Sequence, residues 1–326
     1  MRVPVVALTG HLGAGKTTLL NHLLRAPGAR LGVVINDFGS INVDAALVTG
    51  QVDEAAAISG GCVCCLPDSG GLDDALEKLS DPRLRLDAIV IEASGAADPI
   101  ALARLVRFSG AARIRPGGVV DVIDAAHHFD TVDTWEDPPA RYSAASLAVV
   151  TKTDLVADAG ARVARIRERV RARNARAEIV VARDGRIDPA LLFDIARDED
   201  PIDQLPIGRL LREDAPAHVH AHAVSVALPG AISPGALVEL LEDPPAGAYR
   251  IKGRVRVRGG RGYLANLVGK SIHVIPHRFD GPGELVAIGM DLDESAARQR
   301  LDAVAADTGS SAAGLRRLQR YRRLSE

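Results

Sequence analysis

Cysteine is scarce in this chain, with three in 326 residues, an odd number and too few for the disulfide framework of a small secreted domain. No apolar run approaches the roughly 18 residues needed to cross a bilayer, so no membrane-spanning helix is expected. The opening MRVPVVALTG is too short, and too soon followed by polar sequence, for a secretion signal. An excess of one charge is also missing: 40 Lys and Arg stand against 42 Asp and Glu, which argues against nucleic-acid binding through bulk charge. Internal repeats and low-complexity tracts are absent. With 47% hydrophobic and 25% charged residues, the composition excludes a disordered or collagen-like chain. The expectation is a cytoplasmic globular protein of roughly two domains, since single cores stop growing at about 250–300 residues.

Short β-branched runs recur at Val3 to Leu8, Gly32 to Ile35, Ala88 to Ile91, Val119 to Ile123, Leu147 to Val150 and Ile179 to Val181. Each is apolar along its length with no period of two, the pattern of strands buried on both faces of a parallel sheet. Helices are expected between them at Lys16 to Arg25, Leu72 to Leu79, Pro99 to Val106 and Ala161 to Asn174. The fold class is therefore α/β, a doubly wound, mainly parallel sheet over residues 1–197. An Asp- and Pro-rich stretch, 198–216, reads as a linker. Beyond it come a strand through His218 to Leu228, a helix at Ser233 to Leu241, four strands between Tyr249 and Met290, and a helix at Glu294 to Ala306. Grouped strands with flanking helices indicate a second, smaller α+β domain over 217–307. Residues 308–326 carry LRRLQRYRRL and read as a solvated basic tail, with an arm for an acidic partner as the alternative.

The first strand runs into Gly10-His11-Leu12-Gly13-Ala14-Gly15-Lys16-Thr17, which satisfies GxxxxGK[ST] and opens a helix. Strand, glycine-rich loop and helix N-terminus together place the backbone of Gly10, Gly13, Ala14, Gly15 and Thr18 around a β-phosphate. Lys16 supplies a mobile cation to the β- and γ-phosphates, and the Thr17 hydroxyl is a Mg²⁺ ligand. A carboxylate at the end of a later buried strand, Glu92, is the expected second Mg²⁺ element, direct or through water. The backbone N–H at Gly95, beside Ser94, is placed to sense the γ-phosphate. After Leu147 to Val150 comes Thr151-Lys152-Thr153-Asp154, where guanine-specific proteins carry Asn-Lys-x-Asp. Asp154 can accept the N1 and N2 protons of guanine while the Lys152 stem covers the ring. With Thr151 in place of asparagine, GTP is still favoured over ATP.

All three cysteines, Cys62, Cys64 and Cys65, fall within four residues of a Gly-rich segment, between the phosphate loop and Glu92. Thiolates are soft ligands suited to Zn²⁺, with Co²⁺, Fe²⁺ and Ni²⁺ behind it, and three of them leave a tetrahedral position open, as suits exchange more than storage. An inert buried cluster and a redox switch are the alternatives. His218, His220 and His222 alternate along a strand and can share one face as a metal-acquisition site, a role that surface histidines need not have. His127 and His128 are weaker candidates.

Taken in order, GHLGAGKTTLLNHLL, INDFGSINVDAALV, GGCVCCLP, IVIEASGAADP, VDVIDA and TKTD resemble the CobW-type family of P-loop GTPases, metallochaperones related to the nickel accessory GTPases of urease and hydrogenase maturation. In the second domain GELVAIGMDLDESAARQRLDA resembles the end of the CobW C-terminal domain. The resemblance implies that Cys62, Cys64 and Cys65 bind a metal ion and that GTP hydrolysis is coupled to its delivery to a client metalloprotein. It also implies a switch at Asn36-Asp37-Phe38-Gly39, where Asp37 stands for the family's glutamate as a catalytic or metal-ligating carboxylate. Asp37 is then the first candidate for the fourth ligand and a client side chain the second. GTP·Mg²⁺ would order the Asp37 to Asp44 segment and the loop after Glu92, and so set metal affinity at the cysteines between them. A homodimer is compatible with this reading. Two rivals remain at this point, a P-loop kinase of a small acceptor and a non-catalytic, nucleotide-bound metal sensor.

Overall fold

The computed structural model describes residues 2–25, 30–36, 54–58, 70–95, 97–192, 221–259, 261–269, 271–278 and 281–325. The chain divides into two compact units, the second comprising Ala221–Glu326 with Ala175–Glu178. Each is described by itself. Among the described residues no helix is long and apolar enough to cross a membrane.

The first unit is built on seven strands, β1 (Val3–Gly10), β2 (Leu31–Asn36), β3 (Glu54–Ile58), β4 (Ala88–Glu92), β5 (Ile114–Asp124), β6 (Leu147–Thr151) and β7 (Glu178–Val181), in the order β3-β2-β4-β1-β5-β6-β7. The registers joining β3 through β6 are all parallel. The helices are α1 (Lys16–Leu24), α2 (Gly70–Leu79), α3 (Pro99–Arg107), the short α4 (His128–Thr131) and α5 (Ala159–Arg173). Every residue of β4 and β6 is buried, which is why these strands are apolar without alternation. Leu72, Leu76 and Leu79 of α2, with Leu102 and Val106 of α3, pack on Val5, Ala7, Val34, Ile89 and Ile91. The expected doubly wound α/β fold is present, and six strands stand where the apolar runs put them. The seventh, β3, has the sequence EAAAI, whose alanines favour helix; pairing with β2 overrides that preference. Because β1 lies between β4 and β5, the strand order reverses beside it, and the crevice at such a reversal is where open α/β sheets receive ligands.

In the second unit β8 (His222–Leu228), β9 (Arg250–Val257), β10 (Arg261–Val268), β11 (Ser271–Pro276) and β12 (Gly283–Gly289) form an antiparallel sheet in the order β11-β10-β9-β12-β8. Helices α6 (Pro234–Glu242), α7 (Glu294–Ala306) and α8 (Ala312–Ser325) share one core with it, including Val224, Val226 and Leu228 of β8, Leu237 of α6, Leu301 of α7 and Leu318 of α8. Here apolar side chains alternate with exposed ones along β8, the signature of a sheet with one covered face. Ser233 caps α6 by accepting from Ala236 N at 3.4 Å, and Asp293 caps α7 by accepting from Ala296 N at 3.0 Å. Both residues precede the helices the sequence announces.

The C-terminal segment corrects the expectation of a solvated tail. It is a helix docked on the second sheet. Gly314, Leu318, Tyr321 and Ser325 recur at helical spacing between the arginines, and the glycine permits close approach: a Cβ at Gly314 would lie 2.6 Å from Gly235 N. Tyr321 donates to Glu242 Oε1 at 2.9 Å, and Ser325 Oγ accepts from Val274 N at 2.9 Å.

Candidate functional site

The C-terminal ends of β1, β4, β5 and β6 converge because the parallel registers place Leu8 beside Glu92, Thr9 beside Asp121 and Asp124 beside Thr151. The loop from Gly10 to Thr17 turns through three glycines at positive φ, Gly10 at 147°, Gly13 at 75° and Gly15 at 98°, conformations that side chains rarely adopt. Gly10 also has no room for a Cβ, which would fall 2.6 Å from Val122 O. Lys16 opens α1; its Nζ donates to Gly10 O at 3.1 Å and His11 O at 3.2 Å, so the ammonium is folded across the mouth of its own loop. Thr17 donates to Glu92 Oε1 at 2.6 Å, and Glu92 is only 3% exposed. The loop after β4 lies against the phosphate loop: a Cβ at Gly95 would come 2.6 Å from Leu12 N. Thr18 is exposed on α1, and its Cγ2 would meet a Cβ on Gly185 at 2.7 Å. Ala14 is buried.

On the other flank, Thr151 is buried and donates its single hydroxyl proton to Ala14 O at 2.8 Å, with Ile123 O at 3.2 Å as the second acceptor in reach. Its hydroxyl is thus committed to bracing the phosphate loop against β5 and β6. Lys152 adopts φ 55° and ψ 33° and donates to Asp124 Oδ2 at 2.7 Å. Asp154 is exposed in the turn that follows. Burial pushes the Asp124 carboxyl up, but the hydrogen bonds from Lys152 and His127 and the Ala126 N–H outweigh it and hold the group below its usual range.

Beside this loop lies a buried polar network that no motif in the sequence announces. A cavity of about 260 Å³ is lined by His11, Leu12, Asp124, His128, Arg141 and Lys152, among others. Arg141 Nη2 and Nε donate to Asp121 Oδ1 and Oδ2 at 2.7 and 3.1 Å, and Thr9 donates to Asp121 Oδ1 at 2.9 Å. Burial lowers the Arg141 pKa, and the charge of Asp121 more than restores it, raising it above the ordinary value. Tyr142 donates to Asp133 Oδ2 at 3.0 Å, and Arg169 Nε donates to the same oxygen at 2.9 Å. With the Tyr142 proton committed, His128 Nε2 is the donor in the short hydrogen bond to the Tyr142 hydroxyl. Burial lowers the His128 pKa to about 4, opposed by the charges of Asp121 and Asp133. The sequence signal for this network is Asp121 inside the apolar run Val119 to Ile123, a buried acid that needs a partner.

Of the other expected site residues, Asp37, Cys62, Cys64, Cys65, His218 and His220 lie outside the described residues. His222 is described, and its Nδ1 pairs with Glu294 Oε1 at 2.7 Å. Among the described residues no group of three or more His, Cys, Asp or Glu side chains forms a metal site.

The family model for the CobW/HypB/UreG nucleotide-binding domain matches residues 4–181, more than half of the chain, and that for the cobalamin synthesis protein CobW C-terminal domain matches 221–305. The chain belongs to the CobW/HypB/UreG family. Within it, the zinc chaperone YjiA of Escherichia coli (strain K12) is 34% identical over 199 residues, 59% of this chain and 61% of that protein. The zinc chaperone CobW of a Sinorhizobium species is 29% identical over 350 residues, 93% of this chain and 97% of the relative. The zinc-regulated GTPase metalloprotein activator 1 of Schizosaccharomyces pombe is 35% identical over 196 residues, covering 57% and 47% of the two chains. A solved structure of Zn(II)-bound YjiA GTPase from E. coli aligns over 93% of this chain and 99% of its own, with 23% identity and a TM-score of 0.45.

Proposed function

We propose that this CobW/HypB/UreG family member is a GTP-hydrolysing metallochaperone that takes up a transition metal, zinc first, at Cys62, Cys64 and Cys65 and passes it to a client metalloprotein. The observation that carries the nucleotide part is the arrangement around one glycine loop: the Lys16 ammonium folded across its mouth, with Thr17 and Glu92 oxygens 2.6 Å apart. Two hard oxygen donors side by side fit Mg²⁺, which when bound supplies charge neutralisation to the phosphates. The chain's own groups do the rest. Lys16 exchanges loop carbonyls for phosphate oxygens, the loop N–H groups and the start of α1 orient the phosphates, and Gly95 brings the β4 loop into contact with the same backbone. Asp154, exposed beyond Lys152, accepts from the guanine edge. The names of the zinc-handling relatives support zinc as cargo, and the clustered thiols suit it chemically.

Phosphate release from GTP·Mg²⁺ by the full chain, with and without Zn²⁺, tests this reading. Lys16→Ala is expected to lose at least about 100-fold in turnover, the scale of removing a preorganised charge stabiliser; unchanged turnover would move the active site elsewhere. Replacing Cys62, Cys64 and Cys65 by Ala is expected to abolish tight Zn²⁺ binding in a chelator competition. Retained affinity would remove the cysteines from the metal role.

A further inference from the structure

We propose that Asp124 is a positioning residue that sets Lys152 for the base of a bound guanine nucleotide. This rests on the reading of the phosphate loop and the Thr151 to Asp154 turn as a guanine-nucleotide site, and it adds a positioning residue from a different strand.

The geometry begins with strand register. Asp124 ends β5 directly beside Thr151 at the end of β6, so its carboxylate stands next to the residue preceding Lys152. One carboxylate oxygen is fixed by its own turn, with Oδ1 accepting from Ala126 N at 2.9 Å and His127 N at 3.3 Å. The other, Oδ2, faces Lys152 Nζ at 2.7 Å and His127 Nδ1 at 3.2 Å. That turn is anchored in turn: Ala125 N donates to Thr151 O at 2.9 Å, and Arg162 Nη1 of α5 donates to Ala125 O at 2.9 Å.

Two further features separate this pair from a surface ion bridge. Its side chains are 34% and 12% exposed, so solvent and salt screen it less than an open pair. The lysine backbone is held in the left-handed region, which a residue with a Cβ adopts only when its surroundings dictate it. With its backbone set and its ammonium paired to Asp124, the four-carbon stem gives up rotamer freedom before any ligand arrives, and pre-ordering of this kind raises affinity by lowering the entropy lost on binding. The Thr151 hydroxyl is meanwhile committed to Ala14 O. Base recognition is left to Lys152 and Asp154, and the direction of Lys152 to Asp124.

The test is a double-mutant cycle on the full chain, reading GDP and ADP dissociation constants by calorimetry with Mg²⁺. Wild type is expected to prefer GDP. Asp124→Ala should weaken GDP binding about tenfold, within the range of coupling between contacting residues, with a smaller loss for ADP, whose base lacks the Asp154 contact that holds the ring under the lysine stem. In the Lys152→Ala background the same substitution should cost nothing more, because the carboxylate acts through the lysine. A full additive loss in that background, or an Asp124→Ala variant that binds GDP as well as or better than wild type, would overturn the proposal while leaving the guanine site in place. Wild type that binds neither nucleotide would remove the site reading and the proposal together. Should the alanine variant unfold without ligand, Asp124→Asn, which keeps the shape and loses the charge, takes its place in the cycle.

Discussion

In the parallel sheet of the first unit, buried polar side chains gather where strands end: Thr9 and Asp121, Glu92, and Thr151, each bonded to another element. In the second unit, buried Ser233 and Ser325 serve a helix cap and a helix-to-strand seam, and the antiparallel sheet itself buries Arg250 on β9 and His273 on β11. A polar group taken from water must find a partner in either setting. In the first unit, however, those partners surround a loop open to a ligand, and in the second they close a core. Substitutions in the first unit should therefore disturb binding as well as stability, and those in the second, outside buried Arg250 and His273, should act on stability alone.

The largest effect is expected from Leu318→Ala on α8, a fully buried side chain, at about 2–5 kcal/mol. Hydrogen exchange should speed up for amides of β10 and β11 and leave those of β1 and β4 untouched. Protection lost equally in both sheets would break the comparison.

Next comes pH. His128 is neutral when folded, with its pKa lowered to about 4, against about 6.5 unfolded. Between those values the unfolded chain binds the extra proton, so stability falls as pH drops from about 6.5 to about 4, by at most about 3 kcal/mol. Urea midpoints across that window should fall less steeply for His128→Gln than for wild type. Parallel curves would mean that the histidine is not held neutral.

Thr151→Val keeps the shape and deletes the hydroxyl, leaving Ala14 O without that donor. A cost of about 1–3 kcal/mol is expected, together with weaker nucleotide binding; a loss of stability with unchanged binding would show that the loop does not need this brace. The smallest effect belongs to the exposed pair of His222 and Glu294. Glu294→Gln should change stability by less than about 1 kcal/mol, read as the shift in thermal midpoint at low and high salt.

How much could be read in advance varied with how the information is written. The phosphate loop was legible because Gly10 to Thr17 is contiguous and each residue type has a local reason to be there. Glu92 was legible as a carboxylate ending an apolar run. Strand β3 was not, since EAAAI has no β-branched residue until its last position. Helix α8 was hidden because its apolar stripe is narrow and lies among five arginines. Asp124 stood unremarked within VDVIDA, and His128 looked like half of a histidine pair.

What the sequence alone determined was the alternation of buried strands and helices, the glycine loop and the clustering of the thiols, because these depend on neighbours a few residues apart. Tertiary structure decided which charges meet. Asp121 with Arg141, Asp124 with Lys152, Thr151 with Ala14, and Tyr142 with Asp133 and His128 are brought together by parallel register and by the return of the chain after β5. Such pairings carry no local signature, since a buried charge is stable only beside its partner and the partner is chosen by the fold.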